Sequence, residues 1–187
     1  MKSQVRIIGG KWRGSKLAVV DARGLRPTPD RIRETLFNWL APVCSGASVL
    51  DCFAGSGALG FEALSRGASH VVALEKQRSA VARLVAQAER FGTDDFEVIA
   101  GDACRSISRL ERSFDIVFID PPYAEAQLRQ RVFGMLESHG CLNSGALVYF
   151  EWPPDTSFEL PSRKLSWLKQ KNAGQVNYAI AEWRLSR

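Results

Sequence analysis

The chain has 187 residues, 45% hydrophobic and 24% charged, close to the average for globular proteins. That balance excludes a disordered chain, a collagen-like repeat and a coiled coil. The longest apolar run, Ala146 to Phe150, is five residues, against the ~20 a membrane helix requires. Arg6, Lys11, Arg13 and Lys16 interrupt any apolar stretch in residues 1–20, so no secretory segment is expected. Four cysteines lie far apart and only two histidines could join them, which predicts neither a disulfide framework nor a metal site. The composition therefore predicts a reduced, cytoplasmic protein without a membrane segment or a metal.

The charge is unevenly placed. Residues 1–40 hold nine Lys and Arg against three Asp and Glu, a net of +6, and the remainder sums to −1. A local basic block fits a polyanionic partner, because each basic side chain near a phosphate releases a counterion. It fits equally a solvated face that only aids solubility.

In chain order, residues 5–8 and 16–20 read as two strands joined by a turn that contains Gly9, Gly10 and Gly14. Residues 21–29 are a Gly/Pro-rich connector. Ile32, Leu36, Phe37 and Leu40 recur at helical spacing over 30–40, with Pro29 and Asp30 at the start and Pro42 expected to end the helix. Strands then alternate with helices: strands at 48–53, 70–75, 96–100, 114–120 and 146–152, helices at 58–66, 77–91 and 127–137. Residues 163–185 read as a closing pair of strands, the last over 175–185. Strands spaced by helices predict an α/β fold: a doubly wound, mostly parallel, seven-stranded sheet covered on both faces, with an N-terminal β-hairpin extension. The division expected is 1–28, a basic hairpin and connector, and 29–187, the main domain.

Ligands of doubly wound sheets bind at the carboxyl ends of the strands. The strand at 48–53 runs into Asp51-Cys52-Phe53-Ala54-Gly55-Ser56-Gly57-Ala58-Leu59-Gly60, which contains G-x-G-x-x-G. Gly55 and Gly57 let backbone approach a nucleotide without a Cβ in the way, although a tight strand-to-helix turn needs the same residues. Glu75, twenty residues after Gly55, is placed to accept from ribose hydroxyls, and Asp102-Ala103 to meet an adenine edge. A dinucleotide and S-adenosylmethionine both fit these positions. Asp51 favours the second, since a carboxylate repels pyrophosphate and suits a cationic amino acid group.

Ile116-Val117-Phe118-Ile119-Asp120-Pro121-Pro122-Tyr123 places an acid, two prolines and an aromatic directly after a buried strand. An exocyclic base amine is conjugated with its ring and is a poor nucleophile. Acceptors aimed at its N–H groups, here the Asp120 carboxylate and the Pro121 carbonyl, stabilise the charge that develops when it is alkylated. Pro121 and Pro122 fix the backbone, and Tyr123 offers a stacking face for an unstacked base. A rigid turn with a surface tyrosine is the bland alternative.

Asp51 to Gly60 resembles motif I of the class I (Rossmann-like) methyltransferases, and Asp120 to Tyr123 resembles the signature of enzymes that methylate exocyclic amines. Arg6 to Gly14, Arg26-Pro27-Thr28-Pro29-Asp30-Arg31 with the helix after it, and Ala173 to Tyr178 resemble the bacterial RsmD family. The resemblance spans essentially the whole chain, with Pro29 where Thr is expected and Tyr123 where Phe is frequent. It implies methyl transfer from S-adenosylmethionine to the N2 amine of guanine 966 of 16S ribosomal RNA, within a 30S subunit or its precursor, by a monomer. It assigns Asp51, Phe53, Ala54, Gly55, Gly57, Glu75, Asp102 and Ala103 to the cofactor and Asp120, Pro121, Pro122 and Tyr123 to the reaction. Arg6, Lys11, Trp12, Arg13, Arg26, Thr28 and Arg31 go to the RNA. Trp12 packed on the main domain is the structural alternative. Thr28, Arg31 and Glu34 are positioned to close over cofactor or base, and Arg31 and Glu34 also suit a plain ion pair. Other functions weighed are a DNA adenine-N6 methyltransferase, a non-catalytic RNA-binding assembly factor and an NAD enzyme. The chain has no room for the first one's recognition insertion, and the intact acids and glycines oppose the second. Asp51 opposes the third.

Overall fold

The computed structural model describes residues 4–18, 28–122 and 127–184. Arg26 and Tyr123 lie outside the described residues, as does most of the 21–29 connector. A short antiparallel pair, β1 (Gln4–Arg6) and β2 (Lys16–Ala18), precedes helix α1 (Asp30–Cys44). The main domain then runs β3 (Ser48–Asp51), α2 (Ala58–Ser65), β4 (His70–Glu75), α3 (Arg78–Phe91), β5 (Phe96–Ala100) and α4 (Ala103–Ile107). It continues with β6 (Phe114–Ile119), α5 (Leu128–Ser138), β7 (Leu142–Trp152), β8 (Leu165–Asn172) and β9 (Asn177–Trp183).

The seven strands after the hairpin form one sheet in the order β5-β4-β3-β6-β7-β9-β8. The first five are mutually parallel, and β9 pairs antiparallel with both β7 and β8. Period-two alternation sends neighbouring residues into different cores. Val49, Ile116, Phe118 and Tyr149 join the core beneath α1, α2 and the hairpin, while Leu50, Val117, Ile119 and Phe150 join that beneath α4 and α5. Strands covered on both faces read as unbroken apolar runs for this reason. Strand order reverses between β3 and β6, which opens a crevice beyond their carboxyl ends.

The structure corrects two expectations and adds one helix. Pro42 lies inside α1 and does not end it. The proline is in the last turn on the exposed side, where it removes a single ladder bond, and the buried Cys44 holds the helix end by donating to the Ala63 carbonyl at 3.7 Å. Strand β7 starts at Leu142, four residues before the apolar run, because Asn143, Ser144 and Gly145 hide a paired segment beside a register shift. Helix α4 has only five residues, too few for a periodic pattern, and Asp102 starts it by accepting from the Arg105 N–H at 3.2 Å.

The hairpin is built into the domain. Val5, Ile7 and Leu17 are buried in the same core as α1 and α2. Beneath the turn lies Glu62, fully buried on α2, whose two carboxylate oxygens accept from the backbone N–H groups of Ile8 (2.7 Å) and Gly9 (2.8 Å). Arg66 meets Glu62 at 2.7 Å, and the fully buried Arg33 stands 3.7 Å from it. Arg33 also donates to the Arg6 carbonyl at 2.7 Å, so one ionic group ties α1, α2 and the hairpin together. Gly10 has φ +75°, and a Cβ there would lie 1.7 Å from the Ser65 carbonyl oxygen, so no other residue fits this approach.

Glu62→Ala should therefore destabilise the protein by about 3–5 kcal/mol, the cost of leaving two backbone donors unpaired and the buried Arg33 with the exposed Asp30, 2.6 Å away, as its remaining ion-pair partner. Urea unfolding measures it. A loss below about 1 kcal/mol, the range of exposed ion pairs, would show that the clamp is not a buried one.

Candidate active site

Each of five consecutive strands, β5, β4, β3, β6 and β7, carries an acid within two residues of its carboxyl end: Asp102, Glu75, Asp51, Asp120 and Glu151. Parallel pairing produces this alignment, because residues in register on adjacent strands end at the same level. Asp51 faces Phe118 across β3 and β6, and Ile119 faces Phe150 across β6 and β7.

Glu75 is fixed from two sides. Its Oε2 accepts from the Gly55 N–H at 2.9 Å and its Oε1 from the Gln77 N–H at 2.7 Å. The acid thus locks the glycine turn after β3 to the turn after β4. Gly55 (φ +54°) and Gly57 (φ +76°) both occupy the left-handed region that favours glycine. At Gly57 the lack of a Cβ serves packing, since one would meet Leu84 at 2.6 Å and the Phe61 ring at 2.8 Å. Only Gly55 of the two lines the cleft.

That cleft is lined by Phe53, Gly55, Glu75, Asp102, Ala103, Asp120 and Pro122, with Leu128 of α5 on the far side. The structure thus brings five of the eight residues assigned to the cofactor into one cavity with two of the four assigned to the reaction. Asp51, Ala54 and Pro121 are buried behind its wall.

Asp51 is 3% exposed and accepts from the Phe53 N–H at 3.3 Å. Burial raises its carboxyl to about 7; the Glu75 charge adds to this, while the Phe53 and Gly60 N–H groups oppose it. Asp120 is held well above the usual carboxylate range, first by desolvation and then by the charges of Glu151 and Asp51. Arg129 of α5 and the Thr28 hydroxyl act in the other direction. Glu151, also raised by burial, accepts from Thr28 Oγ1 at 3.1 Å and from the Tyr149 hydroxyl.

Sequence reasoning assigned no role to Glu151, Tyr149 or Arg129. The signal for Glu151 was present: it ends the apolar run 146–150 as Asp120 ends 116–119. Thr28, assigned to RNA, is buried against this acid.

Arg6, Lys11, Arg13 and Arg31 are exposed. Trp12 is half-buried and stacks on Phe91 with ring centroids 4.4 Å apart, while Lys11 Nζ stands 4.3 Å from its centroid. Among the described residues no group of three or more His, Cys, Asp or Glu could hold a metal ion. No helix among them is long and apolar enough to cross a membrane.

A mostly parallel seven-stranded sheet closed by an antiparallel strand pair, with a glycine turn after β3 and acids along the strand ends, defines a class I methyltransferase fold. The chain belongs to the RsmD family: the family model described as "Conserved hypothetical protein 95" matches residues 5–182. Ribosomal RNA small subunit methyltransferase D of Escherichia coli (strain K12) is 44% identical over 179 residues, covering 95% of this chain and 89% of that protein. The solved structure of the Escherichia coli protein yhhF superposes with a TM-score of 0.89 at 42% identity, covering 97% and 99% of the two chains. A methyltransferase solved in complex with SAH shares the fold at 15% identity, with a TM-score of 0.66 over 89% of this chain and 53% of its own.

The elevated carboxyls make stability depend on pH. A carboxyl raised from 3.8 to about 7 favours the folded state in its neutral form, so its contribution is complete below 3.8 and is lost as pH rises towards 7. Asp51→Asn should flatten the decline between pH 4 and 7 by up to about 1.4 kcal/mol per pH unit, one proton's worth. Chemical denaturation across that range tests it. A slope identical to wild type would mean that Asp51 ionises normally.

Proposed function

We propose that this chain transfers a methyl group from S-adenosylmethionine to the exocyclic N2 amine of a guanine in 16S ribosomal RNA, guanine 966 by family resemblance. The observation that carries this reading is Asp120-Pro121-Pro122 at the end of β6, with Asp120 and Pro122 lining the same cleft as Glu75 and Asp102. The 44% identical relative that is named a ribosomal RNA methyltransferase supports the substrate class.

The cleft's donor set suits this cofactor. Four carboxylates, Asp51, Glu75, Asp102 and Asp120, surround or back it, a poor environment for pyrophosphate and a good one for a cation. Glu75 would hold the ribose hydroxyls, Asp102 with Ala103 the adenine, and Asp51 the ammonium of the amino acid part. When bound, the cofactor supplies a methyl already activated by a sulfonium centre. The protein's task is then alignment and charge placement. Asp120 accepts from one N–H of the base amine and the Pro121 carbonyl from the other, which favours the pyramidal nucleophilic form. Tyr123 would stack on the base.

The basic hairpin is read as the RNA-binding extension, residues 1–28, attached to a methyltransferase domain of 29–187. Exposed Arg6, Lys11, Arg13 and Arg31 would contact phosphates, and Arg26 is assigned the same role by the family resemblance. Trp12 then shapes the hairpin through its stack on Phe91. The substrate is 16S RNA within a 30S subunit or its precursor, and the enzyme acts there as a cytoplasmic monomer.

Labelled S-adenosylmethionine offered with 30S particles, naked 16S RNA and DNA tests the reading, followed by digestion to nucleosides. The expected product is N2-methylguanosine from the ribosomal substrates and none from DNA. Asp120→Ala should reduce single-turnover transfer about a hundred- to a thousandfold, or roughly 2.7–4 kcal/mol by analogy with loss of one oxyanion donor. Near wild-type transfer by that variant, or methyladenine as the product, would overturn the reading.

A further inference from the structure

The methyl-transfer reading uses Asp120 but leaves the groups behind it without a role. Phe150 pairs with Ile119 in parallel register, so the next residues, Glu151 and Asp120, stand side by side on neighbouring strands. Glu151 is 3% exposed and Thr28 is 8% exposed. The Thr28 hydroxyl donates to Glu151 Oε1 at 3.1 Å and also favours the ionised form of the neighbouring Asp120. One hydroxyl therefore acts on two adjacent acids. The Tyr149 hydroxyl donates to the same Glu151 oxygen.

We propose that Thr28 and Glu151 form a proton relay behind Asp120, in which the hydroxyl passes to Glu151 the proton that Asp120 receives from the methylated amine. The inference rests on the methyl-transfer reading. In that reaction the amine lone pair forms the N–C bond, and the electron pair of the broken C–S bond stays on sulfur. The nitrogen then carries a positive charge and sheds one proton to the Asp120 carboxylate. Asp120 donates this proton to Thr28 Oγ1 as the hydroxyl gives its own to Glu151, so the hydroxyl is restored. Once the product leaves, the proton returns by the same path to Asp120, which lines the cleft, and passes to water.

The surrounding charges favour this direction. Asp51 of β3, Glu151 and Tyr149 of β7 and Arg129 of α5 act on Asp120 or its partner, and Tyr178 of β9 acts on Tyr149. Three acids here face one cation. When the sulfonium charge disappears, the local field becomes more negative and the proton affinity of the acids rises. A proton is released into the cluster at the moment the cluster holds it best. Glu151 and Thr28 act through Asp120, so they are positioning residues; Asp120 alone of the three would touch the base.

The test is the pH dependence of single-turnover methylation together with carbon-13 carboxyl titration of Asp120 by NMR in the cofactor-free protein. In the wild type the rate rises with pH as Asp120 ionises and then levels. Glu151→Gln removes a negative neighbour, so both the rate midpoint and the NMR midpoint should move about one unit lower. Its plateau should fall on the order of a hundredfold, because the proton's destination is lost. Thr28→Val removes a hydroxyl that favours ionised Asp120, so both midpoints should move higher while the plateau falls. Thr28→Ser should restore both. Should Glu151→Gln not fold, the Thr28 pair decides the matter alone. A merely structural role for these groups leaves both midpoints at their wild-type values in every variant, which overturns the relay. Absence of methyl transfer by the wild type overturns the functional reading instead, and the NMR midpoints separate that failure from this one.

Discussion

Parallel strands that end in register bring their carboxyl ends to one level, and in this protein an acid stands at or within two residues of the end of five of them. Keeping that row ordered while much of it is out of water is the constraint on which the site depends. The structure meets it differently along the row. Glu75 is tied down by two backbone N–H groups, and Asp102 is turned into a helix cap. Asp51, Asp120 and Glu151 retain raised proton affinities, moderated by backbone amides, Thr28, Tyr149 and Arg129. A site with suppressed ionisation holds a reserve that an incoming cation can release, because the ligand's charge replaces the proton's.

Glu62 repeats the device on the other side of the glycine turn. It too is fully buried, but Arg33 and Arg66 accompany it and backbone donors occupy its oxygens. The hairpin that carries much of the basic block is thereby held against α2, the helix that starts just after the glycine turn. Trp12 adds apolar contact with Phe61 and Phe91. The basic hairpin and the glycine turn beside the acidic cleft thus share one support, α2.

Much of this was legible in the sequence. Apolar runs broken by an acid marked β3, β4 and β6 together with the acids that end them, since strands buried on both faces show unbroken hydrophobicity. The same pattern at Glu151 was available, yet Trp152 after it extends the apolar character and conceals the break. Thr28 was placed over cofactor or base but its contact with Glu151 was not foreseen, and Tyr149 was given no place, because these contacts run across 123 residues and across a strand register, which local spacing does not encode. Pro42 and the start of β7 were misjudged for the opposite reason. Local breaker residues there are overridden by the buried Cys44 and by pairing with β6.

The most direct test of this account is calorimetry of S-adenosylmethionine binding at pH 6 in two buffers of different ionisation enthalpy. Asp51, raised to about 7, is mostly protonated at that pH, and a cation seated beside it must drive the proton off. Binding should release nearly one proton, a release lost in Asp51→Asn, and affinity should fall about tenfold for each unit the pH is lowered below 7. Binding with no proton release and no pH dependence would contradict it.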